Sequence, residues 1–226
     1  SRKASAWLGH FGIESAGELP NSIDADAYTA QASARDFHAE LGIPADALTV
    51  AFAGRLGPEK GVVELAQATA AIAEHPDAGG RAVHLVIAGA GPKQGDIERI
   101  GCGSVHLVGR LERQDLAALM SQADAMALPS RSEGFATTLL EAAACATPAI
   151  VTPVGGTDEL VSDERFGTII PDAQTETVET ALREAARNSQ RLAEQGANVA
   201  RRVRAEYSWR RTAERALAAC RKANEK

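Results

Sequence analysis

Short apolar runs and longer amphipathic stretches alternate along this chain from Thr49 onward. The apolar runs Thr49–Ala53, Val83–Ala88, Val105–Val108, Ala125–Leu128, Ala149–Thr152 and Thr168–Ile170 have strand length and end in Gly, Pro or polar residues. Between them, Val62–Glu74, Arg113–Gln122, Leu139–Ala146 and Glu176–Arg187 have the length and patterning of helices. Strands buried on both faces read as unbroken apolar runs, so the alternation predicts an α/β fold: a Rossmann-like, doubly wound parallel sheet with helices on both sides. Ligands of such sheets bind beyond the carboxyl ends of the strands, which directs attention to the loops that follow them.

The two ends of the chain depart from this rhythm. Trp7, Leu8, Phe11 and Ile13 form a short apolar cluster, and Pro20-Asn21-Ser22-Ile23-Asp24 is turn-rich and reads as a linker. At the far end, Trp209, Ala213, Leu217 and Cys220 fall at helical spacing, giving one apolar stripe on a charged helix. That stripe needs a surface to cover.

Composition narrows the classes. The 226 residues suit one well-buried domain with appendages rather than two full-sized ones. Lys plus Arg number 24 against 30 for Asp plus Glu, a net charge of -6 without a basic run, which argues against a nucleic-acid partner. A few cations focused in one cleft would still attract an anion. Cys102, Cys145 and Cys220 are odd in number and have no Cys or His at metal-ligand intervals, so they read as buried thiols in a reducing compartment. No apolar run approaches the roughly 20 residues that span a bilayer. The amino terminus lacks a signal-peptide pattern, and a soluble, cytoplasmic protein is the expectation.

Four strand-end segments carry candidate chemistry. Gly54-Arg55-Leu56-Gly57-Pro58-Glu59-Lys60-Gly61 offers close backbone approach and two cations suited to a diphosphate, or else a surface turn in which Pro58 and Glu59 start a helix. It is no Walker loop, because the Gly-Lys-Ser/Thr ending is absent. Gly89-Ala90-Gly91-Pro92 resembles the start of a dinucleotide fingerprint, but a tight strand-to-helix turn explains it better. In Leu128 to Glu141, a polar loop with Glu133 and Gly134 leads into a helix near Thr138 whose free N–H groups would favour an anion, while Glu133 suits sugar hydroxyls. Glu141 has a structural alternative: Thr138 with Glu141 three residues later spells a capping box. Gly155-Gly156 with Thr157 is either a ligand approach or a capped turn. His84 and His106 fall in predicted strands and read as satisfied buried or edge histidines; no Ser-His-Asp set and no metal-ligand clustering is evident.

Together these segments resemble the carboxyl-terminal domain of glycosyltransferase family four, retaining transferases of the two-domain GT-B architecture, over about Pro20 to Trp209. Gly54-Arg55-Leu56 with Glu59-Lys60-Gly61 is similar to that family's Gly-Arg-x-x-x-x-Lys-Gly loop. Val108 to Leu111, Asp115 to Ala118 and Ala123-Asp124 resemble the segment bordering the nucleotide base, and Glu133 with Glu141 matches its paired-glutamate signature. The resemblance implies that Arg55 and Lys60 hold the donor pyrophosphate beside Gly54, that Arg110 and Leu111 border the base, that Glu133 contacts the sugar and that Glu141 contacts the ribose. Main-chain N–H groups around Gly134, Phe135, Ala136, Thr137 and Thr138 would face sugar and phosphates. It implies a nucleotide diphosphate sugar as donor substrate, with no cofactor and no metal.

Three positions depart from the family's pattern: Ala136, Ala146 and Ser22 stand where glycine is usual, and a methyl group at Ala136 would narrow the sugar pocket. The resemblance also implies that residues 1–30 are the remnant of an acceptor domain and the linker, 31–206 the nucleotide-sugar-binding domain, and 207–226 a helix crossing back to the acceptor domain. Partners would then be the nucleotide sugar, the amino-terminal acceptor domain and, for the whole enzyme, a membrane surface. An exposed Trp209 face predicts concentration-dependent self-association. The alternatives are a non-catalytic nucleotide-sugar-binding module, or a nucleotide-sugar epimerase or phosphorylase on the same architecture.

Overall fold

The structure, a computed structural model, describes residues 2–13, 15 and 19–224. The remaining positions fall within the expected remnant and terminal-helix segments and lie outside the described residues. Six parallel strands form one sheet: β1 (Leu48–Ala53), β2 (Val83–Ala88), β3 (Val105–Gly109), β4 (Ala125–Leu128), β5 (Ala149–Val151) and β6 (Gly167–Ile169), in the order β3-β2-β1-β4-β5-β6. Every residue of β1, β4 and β5 is buried, as strands covered on both faces must be, whereas the edge strands β3 and β6 are only partly so. The order reverses between β1 and β4, which are neighbours although β2 and β3 intervene in sequence. That reversal is the switch point of a doubly wound sheet.

Eleven helices accompany the sheet among the described residues: α1 (Arg2–Gly9), α2 (Ala25–Ala30), α3 (Phe37–Leu41), α4 (Val62–Glu74), α5 (Gln94–Glu98), α6 (Arg113–Gln122), α7 (Thr137–Ala144), α8 (Thr157–Leu160), α9 (Thr175–Arg187), α10 (Ser189–Glu206) and α11 (Trp209–Asn224). α4 packs on α9, while α6, α7 and α10 pack together with α2. Small alanines on their inner faces, such as Ala66, Ala68, Ala117, Ala118, Ala142 and Ala143, are fully or almost fully buried and allow close approach.

The linker segment is not a free tether. Ile23, Ala25 and Tyr28 are buried, and the Ile23 N–H donates to the Tyr207 carbonyl at 2.9 Å. The Trp209 stripe stays uncovered: Trp209 is 63% and Leu217 60% exposed, and at the other end of the chain Trp7 and Phe11 are exposed as well. Ala146, in the turn between α7 and β5, has φ 61°, the only positive φ of a non-glycine residue among those described. Glycine is the usual occupant of such a position because Cβ crowds the left-handed backbone.

Two expectations need correction. The cysteines are not buried thiols: Cys102 and Cys145 are half-buried and Cys220 is exposed, in each case because the residue lies off the central strands. Helix α7 begins at Thr137, before the expected Leu139. His84 and His106 sit side by side on β2 and β3, His84 Nδ1 3.1 Å from His106 Nε2, and burial lowers both pKa values. No helix among the described residues is long and apolar enough to cross a membrane.

Candidate functional site

The loops after β1, β2, β4 and β5 interlock at the switch point. Leu56, fully buried, anchors the first loop: its N–H donates to the Ala90 carbonyl at 3.1 Å, and its carbonyl accepts from the Lys93 N–H at 3.0 Å. The Gly89 to Pro92 turn is thus the backing of the Arg55 loop. Pro58–Lys60 forms a 3-10 turn with proline at its start, and Gly61 follows at φ 65°. A Cβ on Gly61 would lie 2.1 Å from the Pro129 carbonyl oxygen, so glycine is required for the β1 loop to touch the β4 loop. Gly155, at φ 60°, meets the carbonyls of Glu133 and Gly134 in the same way and joins the β5 loop to the group.

Arg131 fastens this assembly from the β4 side. Its N–H donates to the Glu59 carbonyl at 2.7 Å, its Nη1 to the Pro58 carbonyl at 3.0 Å, and its Nη2 pairs with Glu64. Thr152 adds a hydroxyl hydrogen bond to the Ser130 carbonyl. Neither Ser130 nor Arg131 stands out by residue type; their place immediately after a central strand was the available signal.

Each cation of the loop already has an acidic partner. Lys60 Nζ donates to Glu133 Oε1 at 2.7 Å, and Ser130 Oγ donates to the same oxygen at 2.8 Å. The side chains of Lys60 and Glu133 are 20% and 6% exposed, so the pair bridges the β1 and β4 loops largely out of water. Breaking a buried pair by deleting one member typically costs about 3–5 kcal/mol, because the survivor is left uncompensated. Arg55 is different: it is exposed, and its Nη2 donates to Glu59 Oε1 at 2.6 Å.

A cavity of about 380 Å³ lies over the carboxyl ends of β1, β2 and β3. It is lined by Ala53, Gly54, Arg55, Ala88, Gly89, Ala90, Arg110, Leu111, Leu116 and Thr138. Of the candidate site residues, Gly54, Arg55, Arg110, Leu111 and Thr138 line this cavity, together with Gly89 and Ala90 of the fingerprint-like turn and Leu116; Lys60, Glu133, Gly134, Phe135, Ala136, Thr137 and Glu141 are not in its lining. A larger cleft of about 550 Å³ beside β6 and α9, lined among others by Thr168, Ile169, Pro171, Glu184 and Arg191, shares no lining residue with the first and holds none of the candidate site residues.

The capping-box alternative for Glu141 does not hold. The residue preceding α7 is Ala136, with no side-chain cap, which puts Thr138 inside the first turn instead of before it. The N–H groups of that first turn are consequently left without a side-chain acceptor from the cap. Glu141 makes no side-chain hydrogen bond among the described residues; burial pushes its carboxyl up from the usual range, and Arg113 opposes that shift. Phe135 is half-buried and packs its ring toward Tyr207, with the centroids 6.1 Å apart. No group of His, Cys, Asp and Glu among the described residues has the arrangement of a metal site.

Comparison with known proteins bears on these loops. Residues 33–202 match the family model described as glycosyl transferases group 1. A D-inositol 3-phosphate glycosyltransferase of Saccharomonospora viridis is 35% identical over 190 residues, covering 79% of this chain and 44% of that protein. A GDP-mannose-dependent monoacylated alpha-(1-6)-phosphatidylinositol monomannoside mannosyltransferase of Corynebacterium glutamicum is 31% identical over 211 residues, covering 87% and 54%. Among solved structures, sucrose-phosphate synthase from Thermosynechococcus elongatus has a TM-score of 0.79 at 25% identity, over 100% of this chain and 57% of that one. The chain spans about half the length of the curated relatives it matches.

Proposed function

The chain belongs to the group 1 glycosyl transferases, and from that premise we propose that it binds a nucleotide diphosphate sugar and presents the sugar for transfer, with retention at the anomeric carbon, to an acceptor hydroxyl held by a second domain. The observation that carries this reading is the Lys60–Glu133 pair, which joins the β4 loop to the same β1 loop that supplies Gly54 and Arg55 to the cavity wall. Base and ribose enter the cavity between Gly54, Gly89, Arg110 and Leu111, with Glu141 toward the ribose. The diphosphate lies among Arg55, Lys60 and the first turn of α7, and the sugar extends toward Glu133. Retention follows the resemblance to family four, and the GDP-mannose dependence in the name of one relative supports the donor class.

The chemistry is electrostatic. As the bond from the anomeric carbon to the diphosphate oxygen breaks, negative charge gathers on the leaving phosphate. Once the donor has drawn Arg55 and Lys60 onto its phosphates, the two cations and a helix amino terminus stabilise that charge. Lys60 exchanges a Glu133 oxygen for a phosphate oxygen. Glu133, still held by Ser130, then accepts from sugar hydroxyls. The exposed aromatic residues of α1 and α11 support an acceptor-binding domain that contacts both ends of this chain.

Calorimetry of the chain with UDP-, GDP- and ADP-sugars tests the reading. Weak binding of at least one is expected, with Arg55→Ala and Lys60→Ala each weakening it by about tenfold or more, the worth of a charge-assisted hydrogen bond. If none binds at millimolar concentration and neither substitution changes anything, the reading fails.

A further inference from the structure

Arg55 precedes the 3-10 turn of the β1 loop and Glu59 lies within it, and the donor site gives Glu59 no role. Arg55 is an exposed residue of the cavity lining, and its Nη2 lies 2.6 Å from Glu59 Oε1. Glu59 is half-buried, and its carboxylate is folded back over the loop: a Cβ built on Gly57 would lie 2.5 Å from Glu59 Oε2. The backbone of Glu59 is fixed from the other side, since its carbonyl accepts from the Arg131 N–H at 2.7 Å. Its carboxyl is held below the usual range, first by its own backbone N–H and then by Arg55, against the opposing effect of burial. Glu59 is thus a negatively charged group already holding a guanidinium that a phosphate oxygen would take.

We propose that Glu59 is a resident stand-in for the donor's phosphate: it holds Arg55 over the β1 loop while the site is free and is displaced when a diphosphate arrives. The inference rests on the donor-site reading and adds to it a residue that sets affinity without touching the reacting atoms. It follows from the geometry, because Arg55 cannot direct the same N–H bonds to Glu59 and to a ligand. It also implies selection among anions. An ion with a single phosphate must compete with a carboxylate already in place, whereas a diphosphate reaches both Arg55 and Lys60 and gains enough contacts to displace it.

The experiment is a double-mutant cycle on the whole chain, read by calorimetry with UDP, GDP, inorganic pyrophosphate and inorganic phosphate. Glu59→Gln keeps the shape of the side chain and removes its charge. Because exposed ion pairs are weak, it is expected to tighten pyrophosphate and nucleoside diphosphate binding by about two- to fivefold, and to narrow the preference for pyrophosphate over phosphate. In an Arg55→Ala background the same substitution is expected to change nothing. Glu59→Ala provides a second variant with the same expected direction. Tightening that persists without Arg55 overturns the proposal, since it would then be a general effect of removing charge. Binding that requires Arg55 but does not respond to Glu59→Gln overturns it while leaving the donor site intact. If the unmodified chain binds none of the four probes, the donor-site reading falls and the inference with it.

Discussion

The switch-point loops and the terminal helices treat their side chains in opposite ways. Around β1 and β4, charged groups are matched and backbones touch: Lys60 with Glu133, Arg131 with Glu64, Gly61 against Pro129. On α1, the turn after it and α11, large apolar groups face water, with Trp7, Phe11, Trp209 and Leu217 each more than half exposed. The first region is complete in itself. The second is complete only when something covers it. Substitutions should therefore register as stability or ligand affinity in one region and as association in the other.

The largest effect is expected at Gly61. Gly61→Val adds a branched side chain at φ 65°, against a carbonyl oxygen that even a Cβ would approach to 2.1 Å. A loss of roughly 3–4 kcal/mol is expected in denaturant melts, from backbone strain and overpacking together. A loss below about 1 kcal/mol would mean that the two loops are not locked to each other.

Glu141 comes next, and its effect depends on pH. Its folded carboxyl titrates above the ordinary value of 4.5, so it loses its proton later than in the unfolded chain. The folded state then binds more protons between the two pKa values, and stability falls as pH rises through that window. Glu141→Gln should raise the melting temperature at neutral pH and bring little change below 4.5. Loss of nucleotide affinity in the same variant would tie the stability penalty to function. An equal change at both pH values would show that burial of the charge is not its origin.

A smaller gain is expected at Ala146, where φ is 61°. Ala146→Gly relieves the left-handed strain but adds freedom to the unfolded chain, for a net stabilisation of about 0.5–1 kcal/mol. A lower melting temperature would contradict this. The smallest stability effect belongs to the terminal region: Trp209→Ser with Leu217→Ser should stay within about 0.5 kcal/mol of the parent. Sedimentation of the parent should show concentration-dependent association that this variant lacks; a strictly monomeric parent would break the contrast.

How far these features could be read in advance follows from the distance between the residues involved. β1, β4 and β5 were legible because burial on both faces leaves a run such as Leu48–Ala53 with nothing strongly polar in it. Arg55 and Glu59 are four residues apart, so their pairing was within reach of spacing rules. Lys60 and Glu133 are separated by 73 positions, and only the β1–β4 neighbourhood brings them together. The start of α7 was misread because Thr138 and Glu141 spell a capping box, whereas the loop locked by Gly155 delivers Ala136 to the cap position instead. The packing of Phe135 toward Tyr207 is a contact no local pattern encodes.

The interlocking of the strand-end loops also limits how this domain can be re-engineered. A loop grafted alone from a relative would arrive with a backbone fitted to a different neighbour, since Gly61 needs the Pro129 carbonyl where it is and Gly155 needs those of Glu133 and Gly134. The smallest transplantable piece is the group of loops together, not any single one. Exchanges confined to side chains on the cavity wall, such as Arg110 and Leu111, leave that piece whole.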